Sequence, residues 1–271
     1  MTAQLVNQVN ELQWWHTIDL GNGVVTPGKY PPSGLNLKAF DQIDFTGKRV
    51  LDIGCWDGLW AFEAEKRGAA EIYATDDISQ RTFHNTRTFN LAKDILRSKA
   101  QYFPETPIEA LPSLGVKFDV VLFLGVYYHL RDPLRALGIL RSVLNDGGLI
   151  VVEGPVSSYS RRKSTATFLY KNISNNDPSN WWLPSLGCLE EWIESSFFRA
   201  KAIYTHTNMV VDRSGWPVYA ARRVIEKVAP KQYIRTYHGR TTIVAEAFSG
   251  KDPRWLFPDP LFAGIDGNTY E

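Results

Sequence analysis

The sequence predicts an α/β fold, a mostly parallel sheet with helices on both faces, and three observations carry that prediction. Val50-Leu51-Asp52-Ile53 is a short apolar, β-branched run, the composition of a strand covered on both sides. It runs into a glycine turn, Gly54-Cys55-Trp56-Asp57-Gly58, and then into a helical stretch, Leu59 to Glu65. Beyond it, strand-like and helix-like segments alternate as far as Glu153, an order that implies parallel pairing.

Residues 1–46 are too apolar for a loose tail. Val6, Val9, Leu12 and Trp15 approximate helical spacing. Turn signals follow at Gly21-Asn22-Gly23, Thr26-Pro27-Gly28 and Pro31-Pro32, so the segment should wrap over the domain as an N-terminal cap. Trp14, Trp15 and His16 either line a pocket or simply cover the sheet. In the core, Glu71–Thr75 is the second strand and Asp76 ends it. Ser79 to Ser98 reads as a helix with Phe83, Thr86, Phe89 and Leu91 near its inner face, and Ala100–Phe103 as a weak third strand. Phe118–Leu124 is a strong buried strand leading into Gly125-Val126-Tyr127-Tyr128-His129. Asp132-Pro133 opens an amphipathic helix that Asp146-Gly147-Gly148 should end, and Leu149–Glu153 is the fifth strand. Residues 154–184 lose periodicity and read as a lid-like insert. A helix to Phe198 follows, then a closing antiparallel pair from Ala202–Tyr204 and Val218–Arg222. The expected layout is a cap (1–46), a central domain (47–225) and a C-terminal extension (226–271).

Composition narrows the partners. A formal net charge of +1 over 271 residues gives no global field toward nucleic acid or an anionic membrane. Nine Trp and 13% aromatic residues suggest aromatic-lined pockets as well as core. Cys55 and Cys188 have neither disulfide-framework nor metal-ligand spacing and read as reduced, inert thiols. Met1-Thr2-Ala3-Gln4 shows no signal-peptide pattern, and no apolar run reaches the roughly 18 residues that would span a bilayer. The expectation is a soluble, cytoplasmic protein with no metal site; nothing in the sequence sets its oligomeric state.

A strand, a glycine loop and a helix N-terminus together converge backbone N–H groups on a nucleoside-bearing ligand. Asp76, twenty-two positions after Gly54, can accept hydrogen bonds from both ribose hydroxyls. Asp52 sits where a carboxylate can face a cation rather than a pyrophosphate, which argues against a nicotinamide dinucleotide.

The stretch resembles motif I of class I S-adenosylmethionine methyltransferases, with one departure: Trp56 stands where the family usually has the middle glycine. Three stretches together resemble the tRNA wobble-uridine carboxymethyltransferase-like group. They are Gly47–Cys55, Gly125–His129 with Asp132-Pro133-Leu134, and Trp182-Leu183-Pro184-Ser185. The resemblance implies a Rossmann-like, seven-stranded, mostly parallel sheet and S-adenosylmethionine as cofactor. It assigns cofactor contacts to Gly54, Asp76, Asp77, Ile108, Glu109, Leu124 and Tyr128; Asp52, Trp56 and Gly58 join them from the motif itself. Relatives that use carboxy-S-adenosylmethionine read its extra carboxylate with a lysine, a tyrosine and a late arginine. Here only Tyr128 has a clear counterpart; the other two places fall near Gln8 and Trp216. Plain methyl transfer is therefore the expectation, because a buried carboxylate without cationic partners is costly.

His129, Tyr128 and Glu153 end strands at the rim where ligands bind, so they are the catalytic candidates. His129 is the base candidate, because imidazole titrates near neutrality; its alternative role is to orient a loop. Glu153 either positions the acceptor or pairs with an arginine. His16 and Asp19 can reach the pocket from the cap, whereas His84 reads as a solvated helix residue. Arg161-Arg162-Lys163 and the mixed basic and aromatic stretch Lys231–Arg240 suit single-stranded RNA, although such runs are more often solvated surface. The leading expectation is a small-molecule acceptor; the alternative is methyl or carboxymethyl transfer to a tRNA wobble uridine, from S-adenosylmethionine or its carboxy form, and a cofactor-binding regulator is a third reading.

Overall fold

The computed structural model describes residues 3–78, 86–157, 161, 164–170, 177–205, 239–250 and 262. In chain order its helices are α1 (Ala3–Glu11), α2 (Gly34–Phe40), α3 (Leu59–Lys66), α4 (Arg87–Leu96), α5 (Pro133–Val143) and α6 (Leu186–Ser195). The strands are β1 (Arg49–Ile53), β2 (Glu71–Thr75), β3 (Gln101–Phe103), β4 (Phe118–Leu124), β5 (Leu144–Val156), β6 (Ala166–Phe168), β7 (Trp182–Pro184), β8 (Phe198–Thr205) and β9 (Gly239–Ala247). Seven of them form one sheet in the order β3-β2-β1-β4-β5-β9-β8, and β6 with β7 makes a separate ribbon. β1 to β5 pair in parallel, whereas β9 runs antiparallel to both β5 and β8.

Both faces of the sheet are covered, as the apolar runs require. Val50, Leu122, Val151 and Val244 point to one side, where Phe40, Trp60 and Phe89 meet them. Their neighbours Leu51, Val121, Val152 and Ile243 point to the other, against Leu137, Leu140 and Leu189. This is the period-two alternation of a strand, read out on both faces.

The structure corrects two expectations and describes a third only in part. Residues 239–247, assigned to a C-terminal extension, form β9, a strand fully inside the sheet; the proposed closing strand Val218–Arg222 lies outside the described residues. Asp146-Gly147-Gly148 does not end α5: the helix stops at Val143 and these residues already belong to β5, where a register irregularity between β4 and β5 absorbs them. The predicted helix over 79–98 is described only as α4, since residues 79–85 lie outside the described residues.

The cap is two different things. α2 is part of the sheet's own cover, with Ala39 and Phe40 buried and Asn36 accepting a hydrogen bond from Thr242 at 2.7 Å. The strap before it, residues 14–30, folds back on itself through bridges His16–Tyr30 and Asp19–Val25. Among the described residues no helix is long and apolar enough to cross a membrane.

Candidate active site

The turn after β1 is built from residues with positive φ. Gly54 has φ +65°, and a Cβ there would stand 2.9 Å from a Val126 methyl, so the position admits little but glycine. Trp56 has φ +52°, an uncommon conformation for a bulky residue. Its N–H donates to Asp76 at 3.1 Å and its indole packs 4.9 Å from Trp15. Gly58, φ +89°, precedes α3; a Cβ there would press into the rings of Phe62 and Phe89, so its glycine serves packing.

Three acids flank this turn. Asp76 is buried and accepts N–H groups from Trp56 and Asp77, at 3.1 and 2.9 Å, which locks the turn to the end of β2. Asp57 is fully buried; one oxygen takes the backbone N–H groups of Trp15 and His16 at 2.8 and 2.9 Å, and the other pairs with His16 Nδ1. Asp52 is also buried, but its Oδ2 has no hydrogen-bond partner. Burial pushes the Asp52 carboxyl well above its ordinary range; the Ala61 N–H opposes this and the nearby Asp76 adds to it. An unpartnered buried carboxylate oxygen is the kind of atom that a ligand ammonium group satisfies.

A cavity of about 430 Å³ opens where β1, β4 and β5 end. Of the residues expected at the site, the structure brings Gly54, Trp56, Leu124, Tyr128, His129 and Glu153 into its lining. Asp52, Gly58, Asp76, Asp77, Ile108 and Glu109 do not line it. The acids sit behind the turn, and Ile108 and Glu109 open the 3-10 turn Ile108–Leu114. The strap supplies Trp15, His16 and Tyr30, while Trp14 is core, its indole N–H bonded to the Val9 carbonyl. Asp19 stays outside, exposed and holding the Gly21 N–H at 2.8 Å. His84 lies outside the described residues.

Glu153 faces Arg240, bonded through Nε at 2.6 Å and Nη2 at 2.9 Å. Burial works against the guanidinium charge, and Glu153 beside it more than offsets that, so Arg240 stays charged. The guanidinium also lies 5.8 Å from the centre of the Tyr128 ring, whose phenol burial pushes upward while Arg240 opposes. His129 Nδ1 meets Ser179 Oγ at 2.9 Å, and that hydroxyl turns to Asp177. Its ring is thus held against the insert. Tyr30 and Arg240 line the cavity without having been expected there, and Asp57 was missed as the anchor of the strap beside it. Asp57 hid inside the motif, and Arg240 was noticed only as the end of a basic stretch. Arg161, from the other basic stretch, pairs with Glu190 at 2.7 Å.

The comparisons with known proteins fit this geometry. A family model described as "Methyltransferase domain" matches residues 33–232, from the start of α2 onward. The chain belongs to that methyltransferase-domain family. A methyltransferase domain accords with the expectation from motif I. The methyltransferase is 34% identical over 164 residues to a tRNA U34 carboxymethyltransferase of Campylobacter hominis, covering 60% of this chain and 54% of the relative. It is 28% identical over 176 residues to that of Idiomarina loihiensis, covering 64% and 53%. The chain thus spans about half the length of the curated relatives it matches. In fold it is similar to the N-terminal domain of EvdMO1, solved with S-adenosylhomocysteine and D-fucose, at TM-score 0.60 and 14% identity over 91% of this chain and 98% of that one. A Mesorhizobium loti S-adenosylmethionine-dependent methyltransferase aligns at TM-score 0.52 and 13% identity over 78% and 95%.

Proposed function

We propose that the methyltransferase modifies a uridine-type acceptor, the wobble base of a tRNA, and that the group it transfers is a methyl group. This reverses the order expected from sequence, which put a small molecule first. The observation that carries the reversal is the 34% identity over 164 residues to a tRNA U34 enzyme. Two features of the structure support it. Trp56, Trp15 and Tyr30 pack in succession, with centroids 4.9 and 4.6 Å apart, along the cavity wall, a surface on which a planar base can stack. Outside the cavity, Phe168 and Tyr170 are exposed on the insert, parallel to Trp181, over which Arg131 lies at 4.7 Å. Rings with an adjacent cation suit single-stranded nucleic acid. A tRNA acceptor would also place the enzyme in the cytoplasm.

The cofactor fits the residues present. In this reading Gly54 and Trp56 shape the turn beside it, Asp76 and Asp77 serve its ribose, Ile108 and Glu109 its adenine, and Asp52 its ammonium group. It supplies an electrophilic methyl carbon. The chain's part is to stack and orient the acceptor against Trp56 and Tyr128, exclude water beneath the strap, and accept a proton where the acceptor carries one. Methyl rather than carboxymethyl transfer follows from charge balance: the one arginine described in the cavity wall is already matched by Glu153, which leaves little net charge for a donor carboxylate.

A small hydroxylated acceptor is the second reading, favoured because Arg161 and Arg240 are both neutralised by glutamates. Incubation with methyl-labelled S-adenosylmethionine separates the two. Bulk tRNA should take up label that ribonuclease releases as a modified uridine. Label confined to a low-molecular-weight extract would replace this reading with the second.

A further inference from the structure

The strap places a histidine in the cavity with three of its four polar positions taken. The His16 N–H donates to Asp57, its carbonyl accepts from the buried Thr26 hydroxyl at 2.7 Å, and its ring Nδ1 pairs with Asp57. Ring Nε2 has no partner among the described residues, and the ring lines the cavity. Asp57 is wholly buried, so water does not compete for it. Gly28 completes the setting: a Cβ there would coincide with the His16 carbonyl, so the two legs of the strap close only over glycine. Such an arrangement fixes the Nδ1–H tautomer and leaves the Nε2 lone pair directed away from the carboxylate.

From this geometry we infer that His16 is the general base of the reaction and Asp57 its positioning residue, in place of the His129 expected from sequence. The inference rests on the methyltransferase reading but not on which acceptor is bound. As the acceptor's O–H or N–H proton passes to His16 Nε2, the electron pair of that bond stays on the acceptor atom. That atom forms the new bond to the methyl carbon, and the carbon–sulfur pair remains on sulfur. The other titratable or charged groups lining the cavity are Tyr30, Tyr128, His129, Asp177, Glu153 and Arg240. His129 has its Nδ1 on the exposed Ser179 hydroxyl, itself turned to Asp177, rather than on a buried carboxylate, and Glu153 is held by Arg240, so neither is set as a base in the same way.

The test uses the full chain and the variant His16→Asn, whose amide can donate to Asp57 from the place of Nδ1 and so keep the strap in position. The variant should retain S-adenosylmethionine binding within about twofold while turnover falls about 10²–10⁴-fold, the usual share of a general base. The acidic limb of the kcat–pH profile should vanish with it. His129→Ala should keep that limb. Turnover and an acidic limb that survive in His16→Asn overturn the assignment. A second readout needs no acceptor: ring ¹⁵N shifts, assigned by difference against His16→Asn, should show a neutral Nδ1–H tautomer above the histidine's titration. An Nε2–H tautomer there overturns the proposal. The expected tautomer in a protein that labels neither tRNA nor extract would count against the acceptor reading and leave the base assignment standing.

Discussion

Asp52 and Asp57 stand at the two ends of one glycine turn, both buried, and they are treated in opposite ways. Asp57 has three hydrogen-bond donors and ties the strap to the turn. Asp52 has the Ala61 N–H for one oxygen and nothing for the other. A buried carboxylate with its bonds complete holds a fold together; one left incomplete costs stability until something arrives to complete it. The comparison extends to the other acids. Asp76 is satisfied by the turn's own N–H groups, and Glu153 by Arg240. Ordered by how completely each is satisfied, the four acids divide into those that build the site and those reserved for its contents.

The largest expected effect comes from breaking the complete end. Asp57→Ala leaves the Trp15 and His16 N–H groups and the His16 ring without an acceptor, and should lower the unfolding free energy by about 3–5 kcal/mol. Urea titration reads it as a lower midpoint. Ser179→Ala, at the exposed bond that steadies His129, should cost only about 0.5 kcal/mol. Equal losses in the two variants would mean that the strap is no better anchored than the insert. Next in size is Asp76→Ala, which should weaken S-adenosylmethionine binding by about 1.5–3 kcal/mol in calorimetry on the folded variant. Unchanged affinity would assign Asp76 to the turn alone, beside Asp57.

Glu153→Gln sharpens the comparison from the far strand. The wild type should bind S-adenosylmethionine more tightly than carboxy-S-adenosylmethionine, because the Arg240 charge is already matched. Without the Glu153 charge, Arg240 is available to a donor carboxylate, so the ratio of the two affinities should move toward the carboxylated donor about tenfold, or about 1.4 kcal/mol. Both donors are titrated side by side on each protein. If the wild type already prefers the carboxylated donor tenfold, the pair is not neutral toward ligands and methyl transfer is the wrong reading.

The sequence showed the half of the molecule whose signals are local. β1, β2 and β4 are continuous apolar runs, and Gly54 announces its turn by type alone. What stayed hidden depends on contacts distant in the chain. β9 looked like tail because Arg240-Thr241-Thr242 is polar, yet Thr242 is bonded to Asn36 in α2 and Arg240 to Glu153 in β5. Asp57 could not be told from its motif neighbours, because its partner lies forty-one residues earlier in the strap. His129 drew attention by following a strand, whereas the better-held His16 precedes any strand of the sheet.

The incomplete end gives the smallest effect and the only gain. Asp52 has its folded-state pKa raised above the ordinary carboxyl value by burial, with the Ala61 N–H opposing and Asp76 reinforcing. The sign follows from proton linkage. A carboxyl raised on folding binds its proton more tightly in the native state, so its contribution is favourable below the unfolded pKa. That contribution is lost as pH rises through the folded value. Asp52→Asn keeps the acceptor for Ala61 and removes the ionisation. The cofactor-free variant should therefore be more stable than the wild type at neutral pH, by about 1 kcal/mol, a common gain where function has been given up. The advantage should shrink as pH falls, because the wild-type carboxyl regains its proton. Saturating S-adenosylmethionine should reverse the order, since only the charged side chain receives the ammonium group. Thermal unfolding of both proteins at neutral and acidic pH, with and without cofactor, measures all three statements. A variant that gains stability and keeps full cofactor affinity would show Asp52 to be strained for some purpose other than the ligand, and the division between building and waiting acids would fail at the residue that defines it.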